Sequence, residues 1–213
     1  MVKLFETAER VMDDPRWIQA AFVTRLFFCA PLRLNEMRHV QLKDIQLEAG
    51  LIFVREGKGG ETRFVEVVPE FLPYLEYYLK FHTKPGQTWL FPAMRRSRKL
   101  RRGQVANVPV SRRTIEKWWE DMLRLSGIRH VELHSTRRAH VYYFRDRLTP
   151  ADMKDQLGHA RLSTTEEHYW ESIPGRRFRK EKPEWVKTME AGAERIRTRL
   201  EHGGLRVIKG GAT

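Results

Sequence analysis

Six side chains scattered through the sequence have the chemistry to handle a phosphodiester. Arg33, Lys58, His134, Arg137 and His159 can each donate to a phosphate oxygen, and Tyr169 can act as a nucleophile. Without a divalent cation, phosphoryl transfer needs fixed positive donors in its place, and a covalent nucleophile or a positioned water. The sequence offers no metal chemistry instead. It has no His-Glu-x-x-His run, no P-loop and no paired carboxylates on an expected strand. No metal ligand and no cofactor is therefore expected. His134 and Arg137 stand three residues apart, as do Arg33 and Glu36, so each pair shares a face if the segment is helical. Glu36 reads as a support that orients an arginine or an imidazole.

The elements that must carry these side chains are mostly helical. Residues 1–12 read as a short helix or the end of a linker. Asp13-Asp14-Pro15 reads as a helix start, an acidic cap followed by Pro at the first helical position. The stripe Trp17, Ile18, Ala21, Phe22, Leu26 continues it to Pro31, and a short helix begins near Arg33. Residues 51–55 and 63–68 are apolar and β-branched around Glu56-Gly57-Lys58-Gly59-Gly60, which predicts a β-hairpin with Lys58 in its turn. Further helices are expected at 69–81, at 112–126 with Ser111 as cap and Gly127 as stop, and at 134–147. Thr149-Pro150 opens another that Gly158 ends, and Ser163-Thr164-Thr165-Glu166 is a capping box opening a helix that carries Tyr169. A last helix is expected near 184–201. The fold class is α+β, mostly helical with a small antiparallel hairpin or sheet.

The 213 residues suffice for one domain with a real core, with or without an appendage. The net charge is +13, and it is one-sided. Residues 1–94 hold 12 basic and 12 acidic residues, whereas residues 95–213 hold 28 and 15. Six of the eight residues from 95 to 102 are basic: Arg95, Arg96, Arg98, Lys99, Arg101 and Arg102. Such asymmetry points to a polyanion, nucleic acid first. With 41% hydrophobic and 31% charged residues, bulk disorder and a multi-span membrane protein are excluded. The apolar stretch from Leu26 to Leu32 is far short of the roughly 20 residues of a spanning helix. A single cysteine, Cys29, and an N-terminus broken by Lys3, Glu6, Glu9 and Arg10 fit a reducing cytoplasm.

In order and spacing, the candidate residues resemble the tyrosine recombinases of the phage-integrase family. Ala30-Pro31-Leu32-Arg33-Leu34-Asn35-Glu36 resembles the first arginine box, T-G-x-R-x-x-E. Lys58 resembles the hairpin lysine, and His134-Ser135-Thr136-Arg137-Arg138 resembles H-x-x-R-H. Leu157-Gly158-His159 with Leu162-Ser163-Thr164-Thr165 resembles the L-G-H-x-x-x-x-T-T stretch before the nucleophile. The resemblance runs from about Asp13 to Ile173. Three positions depart from it. Ala30-Pro31 replaces Thr-Gly, Arg138 replaces a histidine, and Tyr169 is the tenth residue after His159, the usual ninth being His168.

The resemblance implies that Tyr169 attacks a DNA phosphodiester and releases a 5′-hydroxyl, which a second strand's 5′-hydroxyl reverses without ATP. It implies Arg33 and Arg137 as clamps on the non-bridging oxygens and Lys58 as general acid. His134 would assist proton transfer, and His159 would donate to the phosphate. Arg138 and the cations of 95–102 are expected to track DNA phosphates. The expected partners are double-stranded DNA and further copies of the chain, as dimer or tetramer on DNA, with no membrane. Residues 1–173 are expected to form the catalytic domain and residues 174–213 a basic tail with a helix, lying outside the core. Only 32 residues precede Arg33, too few for the family's N-terminal clamp domain. A prokaryotic cytoplasm, or a virus or plasmid as source, fits this reading. The displaced tyrosine leaves a second reading open, a non-catalytic DNA-binding relative on the same fold. A basic RNA-binding domain is a third.

Overall fold

In the computed structural model, the residues described are 1–55, 62–93, 108–144, 148–158 and 182–202. The element order is α1 (Val2–Arg10), α2 (Ile18–Cys29), α3 (Leu34–Arg38), β1 (Ile45–Gln46), β2 (Leu51–Val54), β3 (Arg63–Glu66), α4 (Leu72–His82), α5 (Arg112–Leu125), α6 (Thr136–Phe144), α7 (Pro150–Leu157) and α8 (Glu184–Glu201). The expected α+β class, mostly helical with one small antiparallel sheet, is what is found.

Helix α2 is apolar nearly all round and lies at the centre of the core. Helix α5 lays Ile115, Trp119, Met122 and Leu123 against it, at helical spacing. One charge is buried in α2: Arg25 reaches Glu9 at 2.8 Å and stacks over the Tyr74 ring. The sheet is ordered β1-β2-β3, with Ile52 facing Val65 and Val54 facing Arg63. Ile52, Val54 and Val65 point into the core, while Phe53 and Phe64 pair on the outer face. β3 is an edge strand, and α7 packs along it.

Several boundaries differ from the expectation. Asp14 closes a turn, accepting from the Arg16 amide, and α2 starts only at Ile18. β3 ends at Glu66 because the Val67 amide turns to Gly50 and the Val68 amide to Cys29. His134 precedes α6 in a 3₁₀ turn, Leu133–Ser135. The hairpin turn, the 95–102 run, the end of the 134–147 helix and the capping box at Ser163 lie outside the described residues.

The expectation that the chain beyond residue 173 stays out of the core is corrected for α8. Trp185, Val186, Met189, Ala193 and Ile196 form one apolar face, buried against α1 and α4. Trp185 stacks on Phe5 with centroids 5.3 Å apart. Arg195 pairs with Glu9 at 3.0 Å and Arg199 with Asp13 at 2.8 Å, so the basic side chains flank the seam. Gly192 permits the close approach: a Cβ there would lie 1.9 Å from the Tyr74 hydroxyl. The apolar stripe outweighs the basic composition on which that expectation rested.

Candidate active site

The chain leaves α2 through Pro31 and Leu32, and Arg33 caps α3 in extended conformation. The Glu36 carboxylate accepts the Arg33 amide at 2.7 Å and Arg33 Nη1 at 2.8 Å. It thus satisfies an unpaired amide at the helix start and fixes the side chain above it. Glu36 also receives a two-pronged grip from Arg63 of β3, with Nη1 at 2.9 Å and Nη2 at 2.8 Å. Burial works to raise the Glu36 pKa, but the bonds from Arg63 and Arg33 prevail and bring it to about 2.

Helix α7 supplies the second half of the frame. Thr149 caps it, Pro150 takes its first turn, and Gly158 ends it with φ 61°. The last carbonyls of a helix lack intrahelical donors and carry partial negative charge. Here three successive carbonyls each take one arginine. Arg63 Nε donates to Gln156 O at 3.0 Å, Arg137 Nη2 to Leu157 O at 2.6 Å, and Arg33 Nη2 to Gly158 O at 2.7 Å. Three guanidinium groups from β3, α6 and α3 therefore meet at one helix end.

A cleft of about 520 Å³ opens beside them, bounded by Arg33, His134 and Arg137 and by Glu116, Trp119 and Glu120 of α5. Arg137 is only 1% exposed, the largest fully buried side chain among the described residues. The His134 pKa is held below 6.5 by partial burial, then by the charges of Arg137, Arg138 and Arg33, against Glu132. That direction favours the uncharged imidazole. Arg138 is on the exposed side of α6.

Of the candidate residues, Arg33, Glu36, His134 and Arg137 come together. Lys58, His159, Tyr169 and the cations Arg95, Arg96, Arg98, Lys99, Arg101 and Arg102 lie outside the described residues. Tyr74, Tyr77, Tyr78 and Tyr143 are buried, and their hydroxyls donate to Glu9, Asp13, Gln19 and Glu70. Burial raises the pKa of Tyr74, Tyr77 and Tyr78, which makes each a poorer nucleophile. Tyr142 is half-buried on α6.

Sequence reasoning missed Arg63. A signal was present: the period-two alternation of β3 puts position 63 on the face of Val65, where a charge needs a partner. It also missed Gln156, whose side chain joins Glu66 at 2.9 Å and the buried His140 at 3.3 Å. Among the described residues no group of three or more His, Cys, Asp or Glu side chains is placed to hold a metal ion. None of their helices is long and apolar enough to cross a membrane.

Tyrosine recombinase XerA of Pyrococcus furiosus is 28% identical over 150 residues, covering 70% of this chain and 49% of the relative. Tyrosine recombinase XerC of Lactobacillus leichmannii is 28% identical over 174 residues, covering 74% and 52%. The chain thus spans about half the length of these relatives. The crystal structure of XerA recombinase superposes with a TM-score of 0.60 at 19% identity, over 96% of this chain and 65% of that one. A lambda integrase dimer bound to a COC′ core site gives 0.55 at 12% identity, over 85% and 62%. Both show the same fold. The sequence profile of the Phage integrase family matches residues 1–175, most of the 213, and the chain belongs to that family.

Proposed function

We propose that the chain cleaves and rejoins DNA strands in site-specific recombination, by transesterification at a tyrosine. One observation carries the reading: Arg33 and Arg137, 104 positions apart in sequence, grip adjacent carbonyls and border one cleft with His134. A phosphate in that cleft meets two guanidinium groups whose planar forks suit its non-bridging oxygens. Charge grows on those oxygens in the pentavalent transition state, and fixed cations stabilise it.

In this reading the Tyr169 oxygen forms a bond to phosphorus as the bond to the 5′-oxygen breaks. The products are a 3′-phosphotyrosyl link and a 5′-hydroxyl, with Lys58 supplying the leaving oxygen's proton. His134 assists proton transfer at the tyrosine, and His159 donates to the phosphate. One phosphodiester replaces another, so the step needs no ATP. The buried hydroxyls of Tyr74, Tyr77, Tyr78 and Tyr143 support Tyr169 as the nucleophile. Double-stranded DNA is the partner, contacted also by Arg138 and the cations of 95–102. Since the lambda integrase structure is a dimer on its core site, assembly of this chain on DNA is part of the proposal.

The test uses a pool of nicked duplexes with a randomised core, from which covalent adducts are recovered under denaturing conditions and sequenced. Wild type should yield a protein–DNA adduct. Tyr169→Phe should yield none and bind the recovered sequence with nearly unchanged affinity. An adduct with the Phe variant would refute the nucleophile. No adduct from wild type would favour a non-catalytic DNA-binding role.

A further inference from the structure

We infer that Arg63 is a positioning residue of the strand-cleavage site, keeping the Arg33 charge available to the scissile phosphate by sharing the Glu36 carboxylate. The inference rests on the recombination reading. Among the described residues, the Glu36 carboxylate accepts four hydrogen bonds. Oε1 accepts from Arg33 Nη1 and Arg63 Nη1, and Oε2 accepts from the Arg33 amide and Arg63 Nη2. One negative charge thus stands between two positive ones. The Glu36 and Arg63 side chains are 3% and 11% exposed, whereas that of Arg33 is 25% exposed. The pair with less exposure forms the two-pronged contact, and the arginine bordering the cleft has the single-pronged one.

The charge balance follows from this sharing. With Arg63 present, the triad carries a net positive charge and its solvent-facing member is Arg33. Without Arg63, Arg33 is the carboxylate's remaining partner among the described residues. The carboxylate then neutralises Arg33 and draws that guanidinium away from the cleft. Arg63 also ties the unit to α7 through Gln156 O, beside the carbonyls that hold Arg137 and Arg33. It touches neither cleft nor phosphate in this scheme: its charge acts through Glu36, and its Nε–Gln156 O bond tethers the unit to α7.

The experiment measures single-turnover cleavage and affinity on the duplex recovered from the adduct selection. Arg63→Met should lower the cleavage rate roughly 100-fold, as loss of one preorganised donor does, with DNA affinity within about threefold of wild type. Arg63→Lys keeps the charge without the fork and should restore roughly tenfold of that loss. A methylphosphonate at the scissile position removes the negative charge that Arg33 meets. On that substrate the penalty of Arg63→Met should shrink, whereas a merely structural defect would persist. In a Glu36→Gln background, Arg63→Met should cost less than it does in wild type, because the route through the carboxylate is gone. If Arg63→Met is too unstable to assay, Arg63→Lys on the two substrates decides alone. A folded Arg63→Met that cleaves at the wild-type rate, or a penalty equal on both substrates and additive with Glu36→Gln, would overturn the inference while wild-type cleavage stands. Absence of cleavage by wild type would instead remove the recombination reading, and this inference with it.

Discussion

Replacing Gly158 with alanine separates two costs that the structure assigns to that residue. The first is backbone strain, since Gly158 has φ 61° at the end of α7. An L-residue in the left-handed region costs about 1–2 kcal/mol. The second is crowding. A Cβ at 158 would stand 3.0 Å from Arg63 Cζ, 3.1 Å from Arg63 Nη1 and 3.2 Å from Arg33 Nη1. These guanidinium groups are anchored by Glu36 and by the α7 carbonyls, so they cannot swing away without breaking hydrogen bonds. We expect roughly 1 kcal/mol beyond the strain, at the low end of overpacking costs. Gly127 supplies the control. It follows α5 with φ 63°, and a Cβ there would meet nothing within 4 Å. Gly127→Ala should therefore lose the strain cost alone. Urea unfolding of both variants gives the difference directly. Displacing Arg33 by a few tenths of an ångström should also slow cleavage by roughly tenfold, given that 1 Å misplacement costs about 100-fold. Gly127→Ala should cleave as wild type does. Equal stability losses, with unchanged cleavage by Gly158→Ala, would refute the packing of arginines around this helix end.

Two further predictions concern stability. Trp185→Ala should destabilise by about 3–5 kcal/mol in urea unfolding, because the ring is 2% exposed and stacks on Phe5; a loss below 1 kcal/mol would return α8 to the periphery. His140 is fully buried, and burial first, then the nearby Arg137 charge, lowers its pKa to about 3 against Gln156 and the Cys29 backbone. The unfolded chain then binds a proton that the native one refuses, so His140 contributes stability above pH 6.5 that is lost as pH falls, by roughly 2 kcal/mol at pH 5. His140→Asn should flatten the stability profile between pH 6.5 and 5, and an unchanged slope would refute the assignment.

The sequence was most readable where local patterns and tertiary needs agreed. The Ser111 cap with Gly127 as stop, and Thr149-Pro150 with Gly158, bracket α5 and α7 closely. Arg33, Glu36, His134 and Arg137, whose types and spacing form boxes, are brought together by the fold. Failures arose where long-range contacts decide. The burial of α8 depends on Gly192 letting it approach Tyr74, a contact across 118 positions that composition does not show. Arg63 was hidden in a strand read for its β-branched neighbours. Its partners, Glu36 and Gln156 O, are 27 and 93 positions away. The role of Gly158 was half legible: a helix stop can be read from sequence, but not that its carbonyl holds an arginine.

The choice of acceptors at this helix end has a consequence for charge. Three guanidinium groups gathered at one helix end repel one another, and some device must hold them together before any phosphate arrives. Three carboxylates would do so, but they would cancel the positive charge that a phosphate needs. Peptide carbonyls orient a guanidinium through hydrogen bonds and leave its formal charge intact. The partial negative charge of the α7 terminus offsets part of the repulsion. A single carboxylate, Glu36, then serves two arginines at once. The cluster is assembled on folding and still carries net positive charge. A phosphodiester entering the cleft would meet donors already in place and would pay little for their reorganisation, which is the condition under which fixed charges lower a barrier most.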